Sequence, residues 1–420
     1  MIRVALKIFR EGFSTYTAKQ TYLLYVSQIS VMLFGALTYY LLTKNLTRES
    51  FGDRELIIKV VTFLSSFFEF GVFTAGSRLL AIERDRNRER QIVSGLTFAG
   101  LFISLCFAAV LALMGIFIDI LFKTSQDLSL IMAVFSLPLS LSLFSIFFQF
   151  IYQGTNEIIK LSFFNFALRF AHFILLALWI CIADLTLVTS LVLYSLAVNG
   201  ITLLLIWKAS PSITAWKEYR AILINETKNY GFRVFIGRLI GMATYNLDSL
   251  MLAAYFSSTA VGNYAIAMFY VTPIAAFSEA FLSASFKRLS DEPKIPKKIY
   301  WINSLGLLGL ITIYMIIGEF IFEILFQKYR ESAGLIYPLA ATMLIVGLTK
   351  PYNFFLSVKG EGKKLQNTAV ALAIASIAFN IVLIPTFAET GAALASLASV
   401  LVSFVAHLIF YDSSVRENAS

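Results

Sequence analysis

Twelve long apolar segments joined by short polar connections constrain the fold of this chain more than any other feature. A helix that crosses a bilayer needs about 20 mostly apolar residues, at a rise of about 1.5 Å per residue. The segments occupy approximately residues 22–43, 55–82, 92–122, 128–152, 161–183, 185–207, 231–256, 262–286, 299–326, 333–357, 366–386 and 391–411. This pattern predicts an all-α, polytopic membrane protein with about twelve transmembrane helices.

The composition agrees with a membrane solvent. Of the 420 residues, 58% are hydrophobic and only 14% are charged, whereas about a quarter of the residues in a soluble domain are charged. An ordinary soluble globular fold is therefore excluded.

Lysine and arginine accumulate on one side of the predicted spans. The side that holds the N-terminus receives 22 of the 34 basic residues, and the opposite side receives only Lys44, Arg48, Arg54, Lys123, Lys328 and Arg330. Because positive residues favour the cytoplasmic side, we expect both termini in the cytoplasm. The formal net charge of +9 is then mostly a topology signal, and a nucleic-acid partner is not implied.

The two halves of the chain resemble each other. Residues 45–52 and 255–262 each link the first two spans of a half, and they end in Gly52 and Gly262. A second similarity joins residues 148–154 to residues 354–360, which end in Gly154 and Gly360. Six spans separate equivalent positions, so both halves have the same orientation in the membrane. This predicts two six-helix lobes related by a pseudo-two-fold axis along the membrane normal, with the substrate handled between them.

The predicted organisation has five parts. They are a basic amphipathic N-terminal segment (1–21), an N-lobe (22–207), a cytoplasmic inter-lobe linker (208–230), a C-lobe (231–411) and a cytoplasmic tail (412–420).

Several short motifs carry a family resemblance over nearly the whole chain. They are Phe51-Gly52, Phe70-Gly71-Val72, Arg78-Leu79-Leu80-Ala81, Asp248-Ser249-Leu250-Met251-Leu252, Ala260-Val261-Gly262-Asn263-Tyr264, Asn380, Ile384-Pro385 and Gly391-Ala392-Ala393. In order and spacing the chain resembles the O-antigen type of polysaccharide flippase, in the multidrug/oligosaccharidyl-lipid/polysaccharide exporter superfamily.

The resemblance implies a function. Two six-helix bundles would open alternately to cytoplasm and periplasm, moving undecaprenyl-pyrophosphate-linked oligosaccharides across the bacterial inner membrane for O-antigen, capsule or exopolysaccharide synthesis. The expected partners are the lipid bilayer, this lipid-linked oligosaccharide, a coupling H⁺ or Na⁺, and a polysaccharide polymerase with other assembly proteins. Neither a cofactor nor an enzymatic activity is expected.

Five basic residues lie inside the apolar segments, in the half of the predicted membrane that faces the cytoplasm: Arg169, Arg238, Lys350, Arg78 and Arg233. A charge in hydrocarbon costs several kcal/mol, so such residues usually face a cavity or a partner. Arginine binds phosphate oxygens bidentately and lysine adds a point charge. These five are the candidate pyrophosphate site. The alternative is snorkelling to the headgroups, which suits Arg78 and Arg233 best because they are near helix ends.

Three carboxylates also fall within the spans, namely Glu69, Asp248 and Glu279. They could balance the basic charges, bind the coupling ion, or form purely structural ion pairs. Lys59 lies toward the outer end of the second span, as an outer gate or interface charge whose role stays open.

Enzymatic functions find little support. The chain has neither a G-x-x-x-x-G-K-[ST] phosphate loop nor an H-E-x-x-H helix. His172 and His407 are isolated on apolar spans, which favours core packing. The main alternative to a flippase is an ion-coupled drug or small-cation exporter of the related fold, and a membrane glycosyltransferase is more remote. An exporter of cations predicts an acidic cavity, and a glycosyltransferase predicts large external loops; the sequence has neither.

Overall fold

The computed structural model describes the backbone of residues 16–417, and the side chains within it except those of residues 16–26, 28, 158, 233, 237–238, 240–245 and 283–291. Most of the predicted N-terminal segment, 1–21, lies outside the described residues. The predicted tail, 412–420, is helical up to Glu417.

Within residues 16–417 the regular structure is entirely helical. The first half contains α1 (Tyr16–Asn45), α2 (Arg48–Phe68), α3 (Val72–Ile82), α4 (Arg86–Leu121), α5 (Ser129–Ser140), α6 (Leu143–Gly154), α7 (Ile158–Ile180) and α8 (Leu187–Ala209). The linker helix α9 (Ile213–Glu226) and a π-helical turn, Thr227–Gly231, follow. The second half contains α10 (Phe232–Tyr255), α11 (Ser258–Asp291), α12 (Lys297–Ile313), a π-helical turn (Tyr314–Gly318), α13 (Glu319–Leu325), a 3₁₀ segment (Gln327–Leu335), α14 (Ile336–Val358) and α15 (Gly362–Glu417).

Each predicted apolar segment coincides with a helix or with two consecutive helices. Among the described residues, eight helices are long and apolar enough to span a bilayer, or nine if the bent pair α2 and α3 forms one span. The helix α15 contains two of the predicted segments, and its backbone breaks at Ala388, where φ is 49°. The all-α, multi-pass membrane architecture is therefore confirmed.

The helices pack mainly within their own half of the chain. In the first half α1 packs on α7, α4 on α5 and α3 on α6, and in the second half α11 packs on α14 and both α10 and α14 pack on α15. The halves meet where α2 lies against α10 and α11. The exact lobe boundaries stay a prediction.

The second predicted span is bent. The chain turns by 59° between α2 and α3, where Phe70 has a φ of 46° and Gly71 a φ of 74°. A left-handed conformation is costly for residues other than glycine. A Cβ on Gly71 would lie 2.4 Å from the carbonyl oxygen of Gly231, so glycine is required here by both conformation and space.

This span also begins earlier than predicted, at Arg48 instead of about residue 55. The Thr47 side chain accepts a hydrogen bond from the Ser50 amide and so starts α2. Arg54 is consequently inside the helix and only 4% exposed. Its assignment to the connection before the second span was wrong, because the charged residues between 48 and 55 resemble a loop in the sequence although they form the start of a helix.

Candidate functional site

A cavity of about 560 Å³ lies between the two halves of the chain. Most of its wall comes from α1, α6, α7 and α8, and the second half contributes three residues of α11, namely Ala276, Glu279 and Ala280. Pockets of this size hold small ligands or part of a larger one. The cavity is therefore the first place to look for a substrate site.

Arg169 lines this cavity. On α7, the lining residues Asn165, Leu168, Arg169 and His172 follow the i, i+3, i+4, i+7 spacing of one helical face. In the described part of the chain, the Arg169 guanidinium makes no hydrogen bond and no ion pair. An arginine placed in this way can bind an anion without first breaking an internal contact.

Lys350 reaches the same region from α14. Its ammonium forms an ion pair with Glu279, whose carboxylate lines the cavity. Both side chains are partly exposed, at 32% and 44%, so the contact stays accessible to water. The pair neutralises the one acidic side chain among the described residues of the cavity wall.

Arg78 is held away from the cavity lining. Its Nη1 donates to Glu226 Oε1 at 2.7 Å, and its guanidinium lies 4.4 Å from the ring centroid of Tyr230. Both partners belong to the linker region, so Arg78 ties α3 to the segment that joins the two halves. This contact accounts for its charge without a substrate.

Arg233 and Arg238 lie on α10, which borders α2. Their side chains lie outside the described residues, and their role in the site stays a prediction.

The other two predicted carboxylates occupy separate places. Glu69 lies at the α2–α3 break, where its Oε1 accepts a hydrogen bond from Thr74 Oγ1 at 2.9 Å. Asp248 is buried on α10 and accepts hydrogen bonds from Tyr264 at 2.5 Å and Ser396 at 3.4 Å. Neither acid lines the cavity.

A buried polar cluster beside the cavity was not predicted. Arg54 Nη1 donates to Glu55 Oε1 at 2.5 Å, and Tyr39 Oη donates to Glu55 Oε2 at 2.9 Å. The Arg54 guanidinium lies 5.9 Å from the centroid of the Tyr194 ring, which in turn meets His172 edge to face at 5.4 Å. The adjacent Arg54-Glu55 pair in the sequence was the available signal, but Arg54 was assigned to a connection and Glu55 to the first position of the second predicted span.

The two halves are joined at one end of the molecule, here called the closed end. Arg48 donates to Glu331 at 2.9 Å and to Asn263 at 3.3 Å. Lys328 Nζ donates to the carbonyl oxygens of Lys44 and Leu46 at 2.7 and 2.8 Å. These contacts cross from the α1–α2 connection to the second half.

Backbone contacts tighten the same end. The amide of Ser258 donates to the carbonyl of Lys123 at 2.9 Å, and Gly52 and Gly262 pack directly on each other. A Cβ on Gly262 would lie 3.0 Å from Gly52 Cα, and one on Gly52 would lie 2.3 Å from the Ser258 carbonyl oxygen. The packing at the closed end therefore leaves no space for a substrate to pass between the halves near Gly52.

Several solved structures that share this fold are described as transporters or flippases. The chain superposes on an inward-facing multidrug resistance MATE transporter of the MOP superfamily with a TM-score of 0.72 and 13% identity, covering 93% of this chain and 95% of the other. The lipid II flippase MurJ, in an inward closed conformation, gives a TM-score of 0.72 and 13% identity, with 94% and 89% covered.

A third solved structure is a MOP superfamily transporter from Pyrococcus furiosus, whose binding pocket is described as having reverse polarity. It gives a TM-score of 0.59 and 11% identity, with 95% of this chain and 94% of the other covered. These similarities establish the fold.

Sequence comparison establishes the family. No curated protein matches this chain. The family described as "Polysaccharide biosynthesis protein" matches residues 17–291, which is more than half of the sequence. The chain therefore belongs to the polysaccharide biosynthesis protein family.

Proposed function

We propose that this protein is a flippase that moves undecaprenyl-pyrophosphate-linked oligosaccharides from the cytoplasmic to the periplasmic leaflet of the bacterial inner membrane. The observation that carries the proposal is Arg169, which lines the cavity between the halves without an ion-pair partner among the described residues. A guanidinium in a site of low polarity favours a phosphate oxygen as its partner. The family match supports a glycan-linked substrate.

The charge balance of the cavity argues against the alternative, an exporter of drugs or small cations. Such a protein would need an unpaired carboxylate in its cavity, because a cation is bound there by opposite charge. Glu279 is instead paired with Lys350, and Arg169 adds a positive charge. An anionic headgroup fits this wall better than a cation does.

The closed end supports transport by alternating access. With the predicted topology, Arg48 and Glu331 face the periplasm, and the cavity then belongs to a state that receives substrate from the cytoplasm. Two of the similar structures are described as inward-facing or inward closed. Export requires the contacts of the closed end to break while the opposite end closes.

Asp248 is a better candidate than Glu69 for binding a coupling ion or balancing the basic charges. Asp248 is a buried carboxylate that shares the Tyr264 hydroxyl with Ser396. Glu69 instead holds the start of α3. We assign transport without enzymatic catalysis, in the assembly of a surface polysaccharide.

Replacement of Arg169 tests this function. Hydrogen bonds to charged groups contribute about 1.5–3 kcal/mol, so Arg169→Ala should reduce the affinity for undecaprenyl diphosphate by about tenfold or more. Arg169→Lys should retain part of it, because the charge remains. In cells that depend on this protein, Arg169→Ala should lower the surface polysaccharide while the amount of membrane-inserted protein is unchanged.

The matched control is Arg90→Ala, since Arg90 is an exposed arginine remote from the cavity lining. Normal polysaccharide export and normal diphosphate binding by Arg169→Ala would reject the phosphate role of this residue.

A further inference from the structure

Two carboxamide side chains line the cavity beside Arg169 with their hydrogen-bonding groups free. Gln149 on α6 and Asn165 on α7 both belong to the cavity wall, and within the described residues neither side chain makes a hydrogen bond. We propose that they form the subsite for the sugar that is attached directly to the diphosphate. The subsite rests on the proposed flippase function.

The position of Asn165 fits the first sugar. It precedes Arg169 by one helical turn on the same face of α7, which is about 6 Å along the axis. A diphosphate held by Arg169 would therefore place its attached hexose next to Asn165. In the predicted topology this direction points to the cytoplasmic mouth, so the glycan extends toward the compartment in which it was assembled.

The two serine hydroxyls of this wall are already engaged. The hydroxyl of Ser27 donates to the carbonyl of Ser162 at 2.6 Å, and that of Ser145 donates to the carbonyl of Ser142 at 2.7 Å. Gln149 lies one turn from Ser145 on α6, which packs against α7. Unlike these two hydroxyls, the two carboxamides keep both their donors and their acceptors available for a ligand.

The chemistry of a carboxamide selects a neutral sugar. Each one offers two N–H donors and a carbonyl acceptor, which match the hydroxyls of a hexose or the acetamido group of an N-acetylhexosamine. A phosphate or a uronic acid carboxylate could use only the donors and would leave the carbonyl oxygens unmatched. A site that hydrogen-bonds a ligand discriminates strongly against an analogue that lacks the bonding group.

Two lipid probes separate the sugar subsite from the phosphate site. Binding of undecaprenyl diphosphate and of undecaprenyl-diphosphate-N-acetylglucosamine is measured on the full-length protein in lipid nanodiscs. The variant Gln149→Ala/Asn165→Ala should bind the glycosylated probe about tenfold more weakly, since it loses two or more hydrogen bonds of about 0.5–1.5 kcal/mol each. Its affinity for undecaprenyl diphosphate should be unchanged, which also verifies that the variant is folded.

Gln153→Ala is the matched control, because Gln153 lies one turn further along α6, is exposed and is not part of the cavity wall. Arg169→Ala should weaken both probes equally. If the wild-type protein binds both probes and the double variant loses neither, or loses both to the same extent, the sugar subsite is overturned and the flippase function stands. If the wild-type protein binds neither probe, the proposed function and the subsite fall together.

Discussion

Three basic side chains of the candidate site, Arg78, Lys350 and Arg169, differ in whether an acidic side chain pairs with them. Arg78 is paired with Glu226, which is 148 residues away in the chain, and Lys350 is paired with Glu279. Arg169 has no acidic partner among the described residues. The sequence placed all three residues inside apolar segments, but it could not identify the partners of Arg78 and Lys350, because each partner belongs to a different helix.

Replacing Lys350 and replacing Glu279 should change the affinity for undecaprenyl diphosphate in opposite directions. Glu279→Gln releases the Lys350 ammonium and should tighten the binding of undecaprenyl diphosphate by about two- to fivefold, a modest effect because both side chains are partly solvated. Lys350→Met removes the positive charge that Lys350 places beside the Glu279 carboxylate, and it should weaken binding to a similar degree. Equilibrium binding in nanodiscs measures both.

The double variant Glu279→Gln/Lys350→Met is the control, because it removes both charges and should bind nearly as the wild type does. A weakening by Glu279→Gln would show that this carboxylate assists the ligand and does not oppose it.

At the scale of helices, the connections were harder to predict than the apolar segments. The hydrophobic lengths located every described span, since about 20 apolar residues are needed wherever a helix crosses. The break between α2 and α3 occurs where Gly71 lies against Gly231. This contact joins segments that are distant in the chain, so a hydropathy pattern cannot predict it. The early start of α2 at Arg48 was missed because charged residues there resemble a loop.

The Gly52 contact between α2 and α11 makes the closed end sensitive to a single methyl group. A Cβ on Gly52 would lie 2.3 Å from the Ser258 carbonyl oxygen, and overpacking costs about 1–3 kcal/mol. Ser125 and Ser258 hydroxyl oxygens are 3.1 Å apart, so Ser125→Cys/Ser258→Cys should form a disulfide in this state. Adding Gly52→Ala should lower the disulfide yield by about fivefold or more.

Gly334→Ala is the matched control, because nothing lies within 4 Å of a Cβ at Gly334 in the neighbouring 3₁₀ segment. Equal disulfide yields with and without Gly52→Ala would contradict the tight contact at the closed end.

The two ends of α15 are joined outside the membrane by an ion pair that should respond to pH. Lys364 Nζ donates to Glu417 at 2.8 Å, and this bond lowers the pKa of Glu417 below its ordinary value of 4.5. The stabilisation is therefore present above pH 4.5 and is lost as the pH falls through the lowered pKa. Lys364→Met should reduce the melting temperature at pH 7, and the difference from the wild type should decrease as the pH falls below 4.5.

Lys363→Met tests the specificity of this effect, because Lys363 is an exposed neighbour. A melting-temperature difference for Lys364→Met that persists unchanged at pH 3 would exclude the ion pair as its cause.

At the scale of the whole molecule, the contact between Gly52 and Gly262 supports an internal duplication. These glycines were equivalent positions in the two sequence halves, and they pack on each other at the closed end. Equivalent positions of two repeats can touch only where a symmetry axis passes between them. We therefore propose that the two-fold axis runs through this contact.

The site was only partly predictable at this scale. Arg169 and Glu279 line one cavity, as a substrate site between two halves requires. The cluster of Tyr39, Glu55 and Arg54 was missed, because its members belong to two helices and Arg54 was placed outside the predicted spans. Burial of a charge depends on the neighbouring helices, and a single sequence does not contain that information.

The central claim is tested most directly by leaflet exchange of the substrate. Purified protein is reconstituted into liposomes that contain undecaprenyl-diphosphate-N-acetylglucosamine, and the fraction of glycan accessible to a membrane-impermeant probe on the outside is followed in time. We predict that accessibility rises above that of protein-free liposomes with the wild-type protein, and that Arg169→Ala abolishes most of the rise. Accessibility that stays at the protein-free level with the wild-type protein would contradict the account.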